Sequence, residues 1–318
     1  MQISEMILEQ LISANGFVSG QALAKYTQIS RMAVWKHIQA LQAQGYHIEA
    51  EHGKGYILYC DKDVLSQSCL QAESRGKYQF TVKPSSPSTN EELRAMANEC
   101  KEGTILLANM QSKGKGRMGR SFFSPGDSGI YMSILLKPQM EASCASSLTA
   151  LCAVAVSEAV AQVLGVETQI KWVNDLYYQN KKVCGILCEA SYNMENASLD
   201  YVVVGIGINL YAPKENFPAE LQSIAGALRT EQVLGLKNKL VLAIANAFFA
   251  EYENFHNSDF QARYKARCFV LGRDITVHKA GQAMLAKALD INEQCALLVE
   301  YSNGMQEFLN AGEISIRL

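Results

Sequence analysis

Gln111-Ser112-Lys113-Gly114-Lys115-Gly116-Arg117-Met118-Gly119-Arg120 packs three glycines and four cations into ten residues. Ile105-Leu106-Leu107-Ala108 leads into it and Ile130-Tyr131-Met132-Ser133-Ile134-Leu135-Leu136 follows, so the run reads as a loop between two buried strands. Glycine lacks Cβ and reaches φ > 0, so such a loop can bring backbone N–H groups up to an anion. No Gly-Lys-Ser/Thr opens a helix behind it, which excludes a Walker A loop. A solvated surface loop is the alternative, and composition alone leaves both open.

Upstream, Phe80-Thr81-Val82 reads as a strand stopped by Pro84 and Pro87, and Thr89 with Glu92 fits a capping box for a helix to about Cys100. Ser88, Thr89 and Asn90 at that helix start serve as caps or as donors to a ligand carbonyl. Downstream, residues 143–164 form an Ala-rich helix, apolar enough to be buried on most sides. Gln169 to Tyr178 reads as a strand kinked at Asn174-Asp175, and Lys182 to Glu189 returns as its hairpin partner. Tyr201-Val202-Val203-Val204 runs into Gly205-Ile206-Gly207-Ile208-Asn209, where Gly-x-Gly permits close approach of a ligand but is too short for a dinucleotide fingerprint. Residues 212–226 hold two prolines and read as a mobile loop, and 236–255 as an amphipathic helix. The middle of the chain is thus a mostly antiparallel sheet flanked by helices.

In the first 60 residues, apolar positions recur at helical spacing from Ile3 to Ile12, Ser19 caps a second helix and Ser30 begins a third. Val34, Ile38 and Leu41 face inward on the third, which leaves Arg31, Trp35, Lys36 and His37 for another surface; Gly45 ends it. Two short strands follow around His52-Gly53-Lys54. This is the pattern of a winged helix-turn-helix, whose third helix enters the major groove; a helical protein-interaction module is the other reading. Lys25, Arg31 and Lys36 stand without an acid between residues 20 and 48, although the region as a whole has no net charge. Phosphate contacts dominate DNA affinity, so a weakly binding monomer that needs a dimer and two half-sites is expected. The DNA-facing candidates are Ser30, Arg31, Met32, Ala33, Trp35, Lys36, His37 and Lys54. After Cys268, glycines and Asn292 punctuate short strands at the spacing of a small β-barrel, too small a core to stand alone.

At 318 residues with a net charge of −2, the chain has room for two or three domains and no global attraction to nucleic acid. No uncharged apolar span of 18 residues and no signal peptide is evident, and nine cysteines without C-x-x-C pairs read as reduced thiols of a cytoplasmic protein. The five histidines do not cluster, which argues against a zinc site.

Ser88-Thr89-Asn90, Gln111 with Gly114 to Arg120, Lys171-Trp172-Val173-Asn174-Asp175-Leu176, Lys182-Val183-Cys184-Gly185-Ile186-Leu187, Gly205 to Leu210 and Gly312-Glu313-Ile314-Ser315 together resemble the motifs of biotin–protein ligases. With a winged helix in front, the chain is similar over essentially its whole length to the members of that family that also repress the biotin operon. The resemblance implies an α+β multidomain chain: a winged helix-turn-helix over 1–62, a biotin- and ATP-binding domain of class II synthetase-like fold over 63–267, and an SH3-like barrel over 268–318. It implies that biotin and ATP are substrates, that biotinyl-5'-AMP is made, and that biotin passes to a lysine of the biotin carboxyl carrier protein of acetyl-CoA carboxylase. Mg²⁺ is implied without a tightly bound metal, as are a homodimer in the adenylate-bound state, a palindromic operator and no membrane.

By the same resemblance, Ser88, Thr89, Asn90 and Gln111 hold the ureido end of biotin. Gly114, Gly116, Gly185, Gly205 and Gly207 permit close approach, and Phe122 walls the apolar part. Lys115, Arg117, Arg120 and Lys182 meet the carboxylate and phosphates, with Lys182 and Arg117 the catalytic pair. Asn174 and Asn209 serve the nucleotide, and Asp175 the metal. Lys115 and Met118 replace arginines that the family commonly has, Val173 stands where it usually has Pro, and residues 212–226 lack the Trp that covers adenine in relatives, leaving Phe217 or Ile224 for that task. A ligand sensor with a non-catalytic ligase-like domain and a lipoate-type ligase are the alternatives.

Overall fold

The structure is a computed structural model that describes residues 3–14, 16–43, 46–59, 63–138, 140, 144–193, 198–279, 281–310 and 312–316. The expected helix stop at Gly45 and the boundary at 62 fall outside the described residues.

Three helices, α1 (Ile3–Ala14), α2 (Gly20–Thr27) and α3 (Arg31–Ala43), precede a hairpin of β1 (His47–Glu51) and β2 (Gly55–Tyr59). Ser19 and Ser30 cap α2 and α3, accepting from the Ala22 and Ala33 N–H groups at 3.1 and 3.2 Å. Ile7, Leu8, Leu11, Leu23, Val34, Ile38, Leu41 and Ile48 close a core of their own. Val18 exchanges two 2.8 Å backbone hydrogen bonds with Tyr56, so the wing gains a third short edge. Gly55 (φ +108°) is needed there, because a Cβ would run into the Val18 backbone.

Then follow α4 (Gln67–Glu73), β3 (Gln79–Lys83), α5 (Thr89–Ala95), β4 (Thr104–Ala108), β5 (Gly129–Leu136), α6 (Ala145–Leu164), β6 (Gln169–Lys171), β7 (Asp175–Tyr178), β8 (Lys181–Asn193), β9 (Ser198–Asn209), α7 (Leu236–Glu253) and α8 (Phe260–Arg267). The seven strands form one sheet in the order β3-β4-β5-β9-β8-β7-β6, antiparallel except for β3 with β4. Side chains alternate across it. Leu106, Leu135 and Val203 meet Leu93 and Ala97 on one face, while Ile105, Leu107, Ile134 and Val204 join the large core on the other. Burial of both faces explains why β4 and β5 read as unbroken apolar runs.

Residues 146–164 of α6 are long and apolar enough, by composition, to cross a bilayer, but they are mostly buried inside the protein against the sheet and α7. α7 is amphipathic as expected, with Lys239, Asn246, Ala250 and Glu253 along its solvent-facing stripe, but that stripe is narrow and Lys237 and Asn238 are buried. The capping box is also corrected. Ser88 is the cap of α5, and Glu92 turns away to pair with Lys83 and accept from the Ser86 hydroxyl at 2.8 Å.

Last come β10 (Asp274–Lys279), β11 (Gln282–Ile291), β12 (Leu297–Tyr301), β13 (Gln306–Leu309) and β14 (Glu313–Ser315), an antiparallel sheet in the order β13-β12-β11-β10-β14. Its inner residues Ile275, Val277, Val299 and Ile314 belong to the same core as the central sheet. The Trp172 indole donates to the Cys295 carbonyl at 3.0 Å and the Phe269 N–H to the Ile170 carbonyl at 3.1 Å, which fixes the docking. The Trp172–Val173 peptide bond is cis.

Candidate active site

One cavity of about 550 Å³ opens over the middle of the large sheet, within the range of small-molecule sites. Three glycines on adjacent strands make room for it. Gly185 and Gly207 are register partners, and Gly205 lies opposite Ser133 on one side and Leu187 on the other. Cβ atoms at 205 and 207 would strike the Asn90 amide and the Phe122 ring; at 185 one would touch both Lys182 and Phe122 at 3.3 Å. Gly116 lines the cavity, whereas Gly114 does not. A Cβ at 114 would clash with the Phe122 carbonyl, so this glycine serves close packing within the loop.

One end of the cavity is a neutral hydrogen-bonded cluster. The Thr89 N–H donates to Gln111 Oε1 at 2.8 Å, and Gln111 Nε2 donates to Ser124 Oγ at 3.0 Å. Ser133 Oγ, fully buried on β5, lies 2.7 Å from Thr89 Oγ1 and 2.6 Å from Asn90 Oδ1. An amide oxygen only accepts, so Ser133 donates to Asn90 and receives from Thr89. Asn90 Nδ2 donates to the Leu187 carbonyl at 3.1 Å and to Glu189 Oε2 at 2.9 Å, and Glu189 pairs with Arg94 at 2.7 Å. With both of its N–H groups and its oxygen engaged, Asn90 holds the cluster together, while Ser88, Thr89 and Gln111 keep capacity for a ligand. Sequence reasoning missed Ser133 and Glu189; the one available signal was a small hydroxyl residue inside an otherwise buried apolar strand.

The other end carries the charges. Lys182 Nζ stands 2.7 Å from Asp175 Oδ1, an oxygen buried without a directed hydrogen bond, so the contact is ionic. Arg117 donates through NH1 to Asn174 Oδ1 at 3.1 Å and through NH2 to the Gly312 carbonyl at 2.9 Å. Asn174 is locked by its Nδ2 donating to the Ile186 carbonyl at 2.8 Å. Lys115 pairs with Glu91, whose carboxyl is held below its usual range by that ammonium. Arg120 also lines the cavity, and Met118 projects into solvent with φ +55°. Asn209 is buried at the end of β9 and does not line the cavity, so the structure does not bring it to the site.

Residues 212–226 are tied down rather than loose. Lys182 N–H donates to the Ile224 carbonyl at 2.8 Å, Gly226 N–H returns to the Lys182 carbonyl at 2.9 Å, and Lys181 Nζ reaches the Gln222 and Ser223 carbonyls. Leu221 and Ile224 line the cavity, whereas Phe217 packs edge-on against Phe123 at 6.3 Å. The cover is therefore aliphatic.

Asp175 is the one carboxylate among the described lining residues, and among the described residues no group of three or more His, Cys, Asp or Glu could hold a metal. That donor set fits Mg²⁺, which takes one or two carboxylates and otherwise phosphates and water, better than a metal held by protein ligands alone. Burial pushes the Cys188 thiol up to about 11, which disfavours its thiolate.

On α3, Arg31, Met32, Trp35 and Lys36 are exposed, and Ser30 is also at the surface as the cap. Ala33 is half-buried. His37 turns inward to Ser4 Oγ at 2.8 Å, and Lys54 pairs with Glu51 at 2.7 Å over the Phe17 ring, which removes His37 from the outward face.

The Biotin/lipoate A/B protein ligase family matches residues 81–209, an HTH domain matches 4–57 and the Biotin protein ligase C terminal domain matches 270–317. The bifunctional ligase/repressor BirA of Bacillus subtilis (strain 168) is 32% identical over 311 residues, covering 94% of each chain. The protein of the same name from Escherichia coli (strain K12) is 28% identical, covering 96% of this chain and 94% of its own. Among solved structures, the biotin protein ligase from Aquifex aeolicus in complex with biotin and ATP superposes with a TM-score of 0.63 at 25% identity, covering 75% of this chain and 98% of that one.

Proposed function

The chain belongs to the family of bifunctional biotin–protein ligases and repressors, and on that premise we propose a division of labour inside the cavity over its central sheet. The protein is an ATP-dependent biotin–protein ligase and a biotin-responsive, DNA-binding repressor. A biotin carboxylate oxygen attacks the α-phosphorus of ATP, the bond from that phosphorus to the pyrophosphate oxygen breaks, and biotinyl-5'-AMP is left. A lysine amine of the carrier protein then attacks the acyl carbon; AMP leaves and the amine loses a proton.

The first step presses a carboxylate against a polyanion. At an effective dielectric near 20, two unit charges about 4 Å apart repel by about 4 kcal/mol, so a cation has to stand between them. Lys182 lines the cavity beside Phe122 at Gly185 and pairs with Asp175. It exchanges its ion pair with Asp175 for the biotin carboxylate, while Arg117 and Lys115 meet phosphate. Ser88, Thr89 and Gln111 take the ureido group, with Asn90 as their frame. Asp175 would hold Mg²⁺, which supplies further neutralisation of the triphosphate when bound. The rest is positioning, and no covalent work falls to a side chain.

The observation that carries this reading is one cavity lined by an amide–hydroxyl cluster and by cations, with Lys182 and Phe122 both beside Gly185. Incubation with biotin, ATP–Mg²⁺ and a biotin carrier domain tests it. Pyrophosphate release and lysine-linked biotin are expected; tight biotin binding with neither product would make the protein a sensor instead.

For repression, Arg31, Met32, Trp35 and Lys36 of α3 face a palindromic operator from a homodimer formed when biotinyl-5'-AMP packs against Leu221 and Ile224. The partners are that operator and the biotin carboxyl carrier protein of acetyl-CoA carboxylase, in the cytoplasm. Boundaries near 62 and 267 separate the three modules, in keeping with the matched ranges 4–57, 81–209 and 270–317.

A further inference from the structure

The segment from Tyr211 to Val233 carries Leu221 and Ile224 to the cavity, and its two ends meet at the Tyr211 hydroxyl, which rests on one carboxylate. The Tyr211 hydroxyl donates to Asp63 Oδ2 at 2.8 Å, and the Val233 N–H donates back to that hydroxyl at 3.2 Å. α7, which follows, starts on the same oxygen: the Lys237 N–H donates to Asp63 Oδ2 at 2.8 Å. Asp63, Tyr211 and Lys237 are 3%, 2% and 1% exposed. The chain around Asp63 is stapled to α7 twice more, by Ser66 N–H to Asn238 Oδ1 at 2.9 Å and by Asn238 Nδ2 to the Val64 carbonyl at 3.0 Å.

A carboxylate this deep is costly unless it is partnered, and here its other oxygen has no hydrogen-bond partner. Burial pushes the Asp63 carboxyl up, against the pull of the Tyr211 hydroxyl and of Lys237, whose own ammonium is depressed by burial.

We propose that Asp63 is a positioning residue of the ligase reaction: its carboxylate joins Tyr211, whose hydroxyl also receives the Val233 N–H, to the start of α7, and so sets how firmly Leu221 and Ile224 close over the nucleotide half of the cavity. The proposal rests on the ligase reading above. The neutral cluster around Thr89, Gln111 and Ser133 shares no hydrogen bond with Asp63, so the effect is confined to the nucleotide side.

The test uses the full chain with Asp63→Ala and Tyr211→Phe, following pyrophosphate release with ATP and biotin varied separately, and chasing bound biotinyl-5'-AMP. Both variants should raise the KM for ATP and the adenylate release rate about tenfold, the size expected for losing a hydrogen bond to a charged group. The KM for biotin and kcat at saturation should stay within about twofold. The double variant should do no more than the larger single one, because the two residues act as a unit. Amide exchange should quicken at residues 212–226 and stay unchanged at 105–108. Tyr211→Phe keeps the buried ring, so it carries the test even where Asp63→Ala fails to fold. Equal rises in both KM values, or unchanged ATP constants in Tyr211→Phe, would overturn the proposal. A parent protein that released no pyrophosphate would sink the ligase reading and this proposal with it, a result distinct from either variant-specific one.

Discussion

The Phe122 ring rests on the backbone of Gly207, where an added methyl carbon would come within 2.5 Å of it. Gly207→Ala therefore has to displace the ring that walls the apolar part of the cavity. Overpacking of this kind costs about 1–3 kcal/mol, so biotin affinity should fall roughly 5- to 150-fold. Calorimetric titration with biotin and, separately, with ATP checks this; an ATP loss as large as the biotin loss would contradict the placement of biotin over the glycines.

Lys182→Ala should lower biotinyl-5'-AMP formation by about 100-fold or more, the range seen when one preorganised charge-stabilising group is removed. The fold should persist, since Lys182 also contributes backbone hydrogen bonds to Ile224 and Gly226 that alanine retains. Near-normal pyrophosphate release would remove Lys182 from the reaction.

Arg117→Gly deletes the guanidinium that bridges Asn174 and the Gly312 carbonyl. With the neighbouring loop cations reduced to Lys113, Lys115 and Arg120, adenylate should escape at least about tenfold faster, as for a lost charge-assisted hydrogen bond. Bystander lysines on an unrelated protein should then be biotinylated, which a streptavidin blot reads. Unchanged retention of adenylate would count against the assignment.

Much of this site was legible because its groups sit in short runs at strand ends and a helix start, as Ser88-Thr89-Asn90 and Gly205-Ile206-Gly207 do. Resemblance also brought Lys182, Arg117 and Gln111 together from separate parts of the chain. What stayed hidden depends on partners far apart in sequence. Ser133 differs from its strand neighbours only by a hydroxyl, and its task appears once β5 lies beneath α5. Asp63 reads as one more linker acid until Tyr211, 148 residues on, is seen to donate to it. The capping assignment slipped by one residue, since Ser88 and Thr89 are both good caps and the side chain that Glu92 prefers, Lys83, lies on a strand. The aliphatic cover could not be chosen in advance, because Phe217 and Ile224 are equally apolar and only the pairing of the loop with Lys182 decides which faces inward.

Lys36→Ala should weaken binding to any DNA sequence about equally and reduce the slope of log affinity against log salt by about 1, as for one lost phosphate contact. Arg31→Ala gives the comparison. Fluorescence anisotropy over a salt series, with biotin and ATP present, provides the measurement; an unchanged slope in both variants would move the DNA surface off this face of α3.

Besides the Asn174 side chain, Arg117 is held by a backbone oxygen of the third module, not by one of that module's side chains. Ordinary sequence drift in residues 268–318 cannot delete that acceptor, because every amino acid carries one. Only a shift of the backbone can, so fidelity of labelling is vulnerable to how well the small sheet docks and to any side chain that strains residue 312, whose φ of +147° suits glycine. A lesion on the Cys295 side that merely loosens the seam with Trp172 should therefore mimic Arg117→Gly, turning a selective ligase into an indiscriminate tagger without altering a residue that lines the cavity.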